Sequence, residues 1–198
     1  MTLLRRVGAG VVAAALLGVS MWLTYVTPHL DVRLLDPIPN HGHAGKVVSN
    51  RVFSVRVDRV DVARSIVTRT DALDPRKNRR ITTSGIFVIV YLGVRSNQKP
   101  VGLGRVRLTT RAGLHYAESG RDGLVTKNSG IFEPMLWGNA SYVFEIPRDQ
   151  LKGAHLIVGQ SDPLNQLSAE ADVDLGIGAA PAGRLLAHPP DDYKLRDA

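Results

Sequence analysis

Ile86 to Val94 reads IFVIVYLGV, nine residues without a charge, seven of them β-branched or aromatic. Such side chains fit a pleated surface, and so unbroken a run fits the central strand of a sheet. Arg95-Ser96-Asn97-Gln98-Lys99-Pro100 closes it with turn chemistry.

Upstream, Val52 to Val62 (VFSVRVDRVDV) alternates, with Phe53, Val55 and Val57 on one parity and Val60 and Val62 on the other. That switch predicts a bulge near Asp58–Arg59. Residues 63–84 are polar and read as a long loop, or a loop with a weak strand. Downstream, Val106 to Thr110 and Leu114 to Ala117 flank Arg111-Ala112-Gly113, a hairpin turn. Ser141 to Ile146 alternates, with Tyr142, Phe144 and Ile146 on one face, and Pro147 stops it. His155 to Val158 and Ala171 to Ile177 complete a set of seven or eight short strands. No soluble segment shows helical periodicity, so the expected fold is all-β, an antiparallel β-sandwich over residues 46–178.

Val7 to Thr27 carries no charge for 21 residues, and Arg5 and Arg6 precede it. As a helix it spans about 31 Å, the thickness of a bilayer hydrocarbon core. Trp22 and Tyr25 stand near its far end, at headgroup level, and the flanking arginines keep residues 1–6 cytoplasmic. The expectation is a membrane anchor over 7–27 with everything after it extracytoplasmic. A cleaved signal peptide is the competing reading. It leads to the same compartment, but Trp-Leu-Thr-Tyr-Val-Thr-Pro offers no Ala-x-Ala cut. Residues 28–45, with three prolines, two glycines and three histidines, read as an extended linker holding the domain clear of the headgroups. Residues 179–198, again proline-rich, read as a flexible tail.

The chain has no cysteine, which excludes a disulfide framework, a thiolate metal site and a cysteine nucleophile. Its formal charge is +7. Beyond Arg5 and Arg6 there remain 23 basic and 18 acidic residues, a moderate excess that suits a solvated surface or an anionic partner.

The order of features, GIFVIVYLGVRSN, then VRLTTRAGLHYAES, then IFEPMLWGNASYVFEIPRDQLKGAHLIVG, resembles the telokin-like, immunoglobulin-like family of unassigned function found on bacterial membrane proteins and lipoproteins. Phe87 to Asn97 matches the family's strong strand closing on Asn. Val143-Phe144-Glu145-Ile146-Pro147 matches its later strand, whereas Arg111-Ala112-Gly113 and Trp137-Gly138 replace its Asp-Gly and Pro-Gly elements. The resemblance covers about residues 46–178. It implies an immunoglobulin-like sandwich acting as a binding or accessory module, and it transfers no catalytic residue.

Candidate chemistry is sparse. His41 and His43 form an H-x-H pair near His29, without a third metal ligand at fixed distance. His115 and His155 sit in strand positions and read as structural or surface residues. Asp172 and Asp174 share a strand face that alternation makes the solvated one. No G-x-S-x-G elbow or phosphate-cradling glycine loop occurs. Arg76, Lys77, Arg79 and Arg80 form the sharpest charge cluster, a candidate anion site without the interleaved aromatics that nucleic acid would require. Ile131 to Trp137 (IFEPMLW) is the most apolar loop. Phe132 is expected buried, and Met135, Leu136 and Trp137 form a candidate partner patch. The expected function is a non-enzymatic, cofactor-free accessory module docking on a membrane-complex partner. The alternative is a surface binder of anionic lipid or cell-wall polymer through loop 76–80.

Overall fold

A computed structural model describes residues 14–22, 25, 37–69, 78–121, 124, 130–161 and 168–195, in two units, Met1–Asp36 and Pro37–Ala198. In the first unit residues 14–22 and 25 are helical and exposed. The rest of the expected anchor lies outside the described residues. Among those described, no helix is long and apolar enough to cross a membrane.

The second unit is a β-sandwich. Its strands are β1 (Ile38–His43), β2 (Val47–Ser49), β3 (Phe53–Arg69), β4 (Asn78–Ser96), β5 (Leu103–Thr109), β6 (His115–Ala117), β7 (Gly138–Ile146), β8 (His155–Gln160), β9 (Ala169–Asp174) and β10 (Tyr193–Lys194). One sheet runs β1-β9-β8-β5-β6; the other runs β10-β3-β4-β7, with β2 also on β3. Between the sheets, Val55, Val57, Ile86, Val88, Val90, Leu92 and Phe144 meet Leu108, Leu156, Val158, Ala171 and Val173.

The strong run is the second half of β4, flanked by β3 and β7 as expected of a central strand. Its other parity, Phe87 and Ile89, enters a second apolar layer on the outer side of the sheet with Ala63, Ile66, Ile81, Leu124 and Val143. Burial on both faces is why the run shows no alternation, and each such side chain contributes about 1.5–3 kcal/mol. The bulge also stands where predicted. Val57 pairs with Leu92 and Arg59 with Tyr91, leaving Asp58 as the extra residue. Without the bulge Arg59 and Asp61 would face the core in place of Val60 and Val62.

Four expectations need correction. Residues 63–84 are not chiefly loop: β3 and β4 stay paired down to Arg69 and Asn78, past a second register shift opposite Arg64. Gly85 lies in that irregularity, where a Cβ would stand 2.2 Å from the Ile146 carbonyl oxygen. The linker expected over 28–45 ends sooner, because Ile38–His43 forms an edge strand paired in parallel with β9. That strand is held by backbone hydrogen bonds and is mostly exposed, so it carries no apolar signature. With β10 and β3 also parallel, the described residues of the sandwich form ten strands, not seven or eight, and the fold is not purely antiparallel.

The tail is structured as well. Ala179–Ala187 is a helix whose Pro181 falls in the first turn, where backbone N–H groups lack intrahelical partners in any case. Ala182 is buried, and Leu185 and Leu186 pack on the main core. Beyond the helix, the Tyr193 hydroxyl hydrogen-bonds the Asp61 carboxylate and lies 3.1 Å from the Tyr91 hydroxyl. Arg59 holds Asp61 from the other side at 2.7 Å, and Asp192 pairs with Arg80. Burial, then the bonds to Asp61 and Tyr91, push the Tyr193 phenol well above its ordinary range. The bond to Asp61 raises Arg59, against the opposing effect of burial.

Candidate functional site

Asn97, which ends the strong run, ties the β4–β5 loop to the β2–β3 connection. Its Nδ2 donates to the Asn50 carbonyl at 2.7 Å, its Oδ1 accepts from Ser54 at 2.8 Å, and its backbone N–H donates to Val52 at 2.9 Å. Beside it the 131–137 loop is pinned by its backbone. Phe132 and Val101 exchange N–H···O bonds of 3.0 and 2.8 Å, and the Met135 N–H donates to the Ser96 carbonyl at 3.2 Å. Phe132 is buried as expected, and its ring lies where a Cβ on Gly138 would stand only 2.9 Å away.

With Phe132 inserted, the remaining apolar side chains of the loop point outward. Ile131 is 60%, Met135 73%, Leu136 67% and Trp137 40% exposed. Met135 adopts φ 64°, left-handed backbone that is uncommon for a methionine. The Trp137 ring is seated on Gly93, where a Cβ would stand 3.3 Å from the indole. The guanidinium carbons of Arg56 and Arg95 lie 5.3 and 5.1 Å from its ring centroid, within cation–π range. Arg56 also pairs with Asp58. The structure therefore brings the three sequence-predicted patch residues together and adds Gly93, Arg56 and Arg95. The period-2 pattern could have found the first two, since Arg56 and Gly93 pair across β3 and β4.

Strand direction fixes where this tip lies. Ile38 donates to the Ser168 carbonyl, Leu103 pairs with Gln160, and Ser161 donates to Gly102, the neighbour of Val101. The beginning of β1, the β4–β5 loop and the 131–137 loop thus share one end of the sandwich. Pro37 enters at the end that displays the tip.

The other candidate groups are partly assembled. Arg76 and Lys77 lie outside the described residues. Arg79 and Arg80 line an open cleft of about 480 Å³ with Thr82 and Arg121. Arg80 is paired with Asp192, and Arg121 donates to the Thr82 carbonyl and to Glu145, each at 2.8 Å.

At the end opposite the tip, Asp172 is bracketed by two imidazoles, with His41 Nδ1 and His155 Nδ1 each 3.0 Å from one carboxylate oxygen. His43 stands 3.6 Å from Asp174. Local reading missed this cluster because it depends on the pairing of β1 with β9, more than a hundred residues apart. It clamps the edge strand to its neighbours. Among the described residues no group of three or more His, Cys, Asp or Glu could hold a metal ion. His115 lies 2.9 Å from the hydroxyl of its cross-strand neighbour Thr109.

No protein-family model matches the chain, and no curated protein does. Two solved structures align with it. An uncharacterized beta-sandwich protein from Clostridium difficile 630 shares 8% identity with a TM-score of 0.41, over 70% of this chain and 95% of that one. A secreted protein from Mycobacterium tuberculosis, MPT63, shares 13% identity with a TM-score of 0.44, over 70% of this chain and 97% of that one.

Proposed function

We propose that the protein is a non-enzymatic accessory module of a membrane complex, tethered by residues 7–27 with its sandwich on the extracytoplasmic side. The telokin-like resemblance of Phe87–Asn97 and Val143–Pro147 agrees with a binding module of immunoglobulin-like type. The observation that carries the reading is the apolar tip of Ile131, Met135, Leu136 and Trp137, exposed on a loop that backbone hydrogen bonds hold at the Pro37 end of the sandwich. Burial of Phe132 fixes a loop that would gain nothing from exposing Met135, Leu136 and Trp137 unless something covers them. The full-length chain should stay with membranes through alkaline carbonate extraction and should recover a defined membrane protein on gentle detergent purification. A chain released by carbonate, or recovered alone from several detergents, refutes the proposal.

A second reading, binding of anionic lipid or cell-wall polymer through the basic loop, is favoured by the convergence of Arg79, Arg80 and Arg121 on one cleft. Arg76→Ser, Lys77→Ser and Arg79→Ser together should abolish salt-sensitive sedimentation with an anionic wall polymer, while Arg80 and Arg121 keep their structural pairs. Unchanged sedimentation removes it.

A further inference from the structure

We propose that the tip of Ile131, Met135, Leu136 and Trp137 seats itself in the surface of the same bilayer that holds the tether, so that the sandwich stands on the membrane at two points. The inference rests on the reading of residues 7–27 as a tether, and it names lipid as what the tip touches.

Three features of the molecule support it. The first is reach. With β1 beginning at Ile38, only residues 28–36 separate the charge-free stretch from Pro37. The covalent reach of that segment is at most about 35 Å, roughly half that of an 18-residue linker over 28–45, which limits how far the Pro37 end can stand from a tether.

The second is charge. Arg51 and Lys99 are exposed on loops beside the tip, and Arg56 and Arg95 flank Trp137. Against these four cations, the described residues of the same loops and strand ends offer two carboxylates, Asp58 and Glu133. An apolar point inside a basic collar complements an anionic lipid surface, and an indole beside guanidinium groups belongs at headgroup depth.

The third is size and shape. Four side chains of one convex loop cover a few hundred Å², short of the roughly 800 Å² per partner of a stable protein interface. A fluid bilayer needs no matching concavity, and the backbone bonds of Met135 and Phe132 let the loop enter it without rearranging. A tip held in lipid would orient the domain and leave both sheet faces for the protein partner.

The chain has no cysteine, so Leu136→Cys gives a unique labelling site at an exposed position. The full-length variant, labelled with the polarity-sensitive NBD fluorophore, is reconstituted into phosphatidylcholine vesicles containing phosphatidylglycerol. A Lys152→Cys label, also exposed but at the opposite end, serves as reference. Flotation is measured with quenching by shallow spin-labelled lipid. The expected result is co-flotation, a blue-shifted emission at 136 and about twofold or greater quenching there, as for groups seated about 5–10 Å into the headgroup boundary, with none at 152. A floating chain whose 136 label is as wet as the 152 label overturns this inference alone. Shielding of 136 in native membranes but not in pure lipid also overturns it and assigns the tip to a protein. A chain that does not float refutes the tether and this inference with it.

Discussion

Replacing Tyr193 with Phe keeps the ring against the outer apolar layer and removes only the hydroxyl that Asp61 accepts from and that lies 3.1 Å from Tyr91. The Asp61 side chain is 16% exposed, so its charge depends mainly on protein partners, and after the change it retains Arg59. A hydrogen bond to a charged group contributes about 1.5–3 kcal/mol, and the remaining access to water places Tyr193→Phe near about 2 kcal/mol. With a urea slope of about 2 kcal/mol per molar, the unfolding midpoint should fall by about 1 M. A mobile tail predicts a change within about 0.5 kcal/mol, or about 0.25 M. The assay is urea unfolding of the full-length chain followed by circular dichroism, with amide exchange at Tyr193 and Lys194, which pair with Ile66 and Val67. A midpoint shift below about 0.25 M with unchanged exchange would refute the idea that the C-terminal segment is clasped to the sheet.

Two further outcomes test other parts of the molecule. Phe132→Ala should cost about 3–5 kcal/mol and lower Tm by on the order of 10 °C in thermal unfolding, whereas Leu136→Ala should stay within about 0.5 kcal/mol. Equal shifts would mean that Phe132 does not anchor the tip. Burial, reinforced by Glu118, raises the Tyr142 phenol above its ordinary range, so the folded state keeps that proton longer than the unfolded chain does. Stability should be intact below about pH 10 and decline above it, Tyr142 contributing a slope that approaches about 1.4 kcal/mol per pH unit. Tyr142→Phe should make the decline shallower by that share, while Tyr193 keeps its own. Superimposable urea midpoints for the two proteins above about pH 10 would contradict this.

Features encoded in near neighbours were readable from the chain. The parity switch located the Asp58 bulge because two valine sets must face one core. Gly113, at φ 78°, closed the hairpin that Arg111-Ala112-Gly113 announced. Ile86–Val94 was recognisable as central because no solvated edge tolerates so continuous a run. What stayed hidden depends on distant partners. Ile38–His43 has strand geometry because β9 supplies hydrogen bonds, and its own residues, IPNHGH, signal a turn. Asp172 looked solvated until β1 and β8 brought an imidazole to each side. Pro181 reads as a breaker unless it is known to fall in a first turn. The candidate patch was legible as apolar sequence, but its exposure followed from which of its members, Phe132, turned inward.

The pairing of β1 with β9 sets an order of events during synthesis. The first strand of the sandwich has no ladder partner until Ala169–Asp174 has been made and has left whatever conduit delivers it. Sheet closure is therefore among the last steps, and contacts of such sequence separation form slowly. A domain whose opening strand pairs with one made more than a hundred residues later keeps that edge of its sheet open until nearly all of the chain has been synthesised.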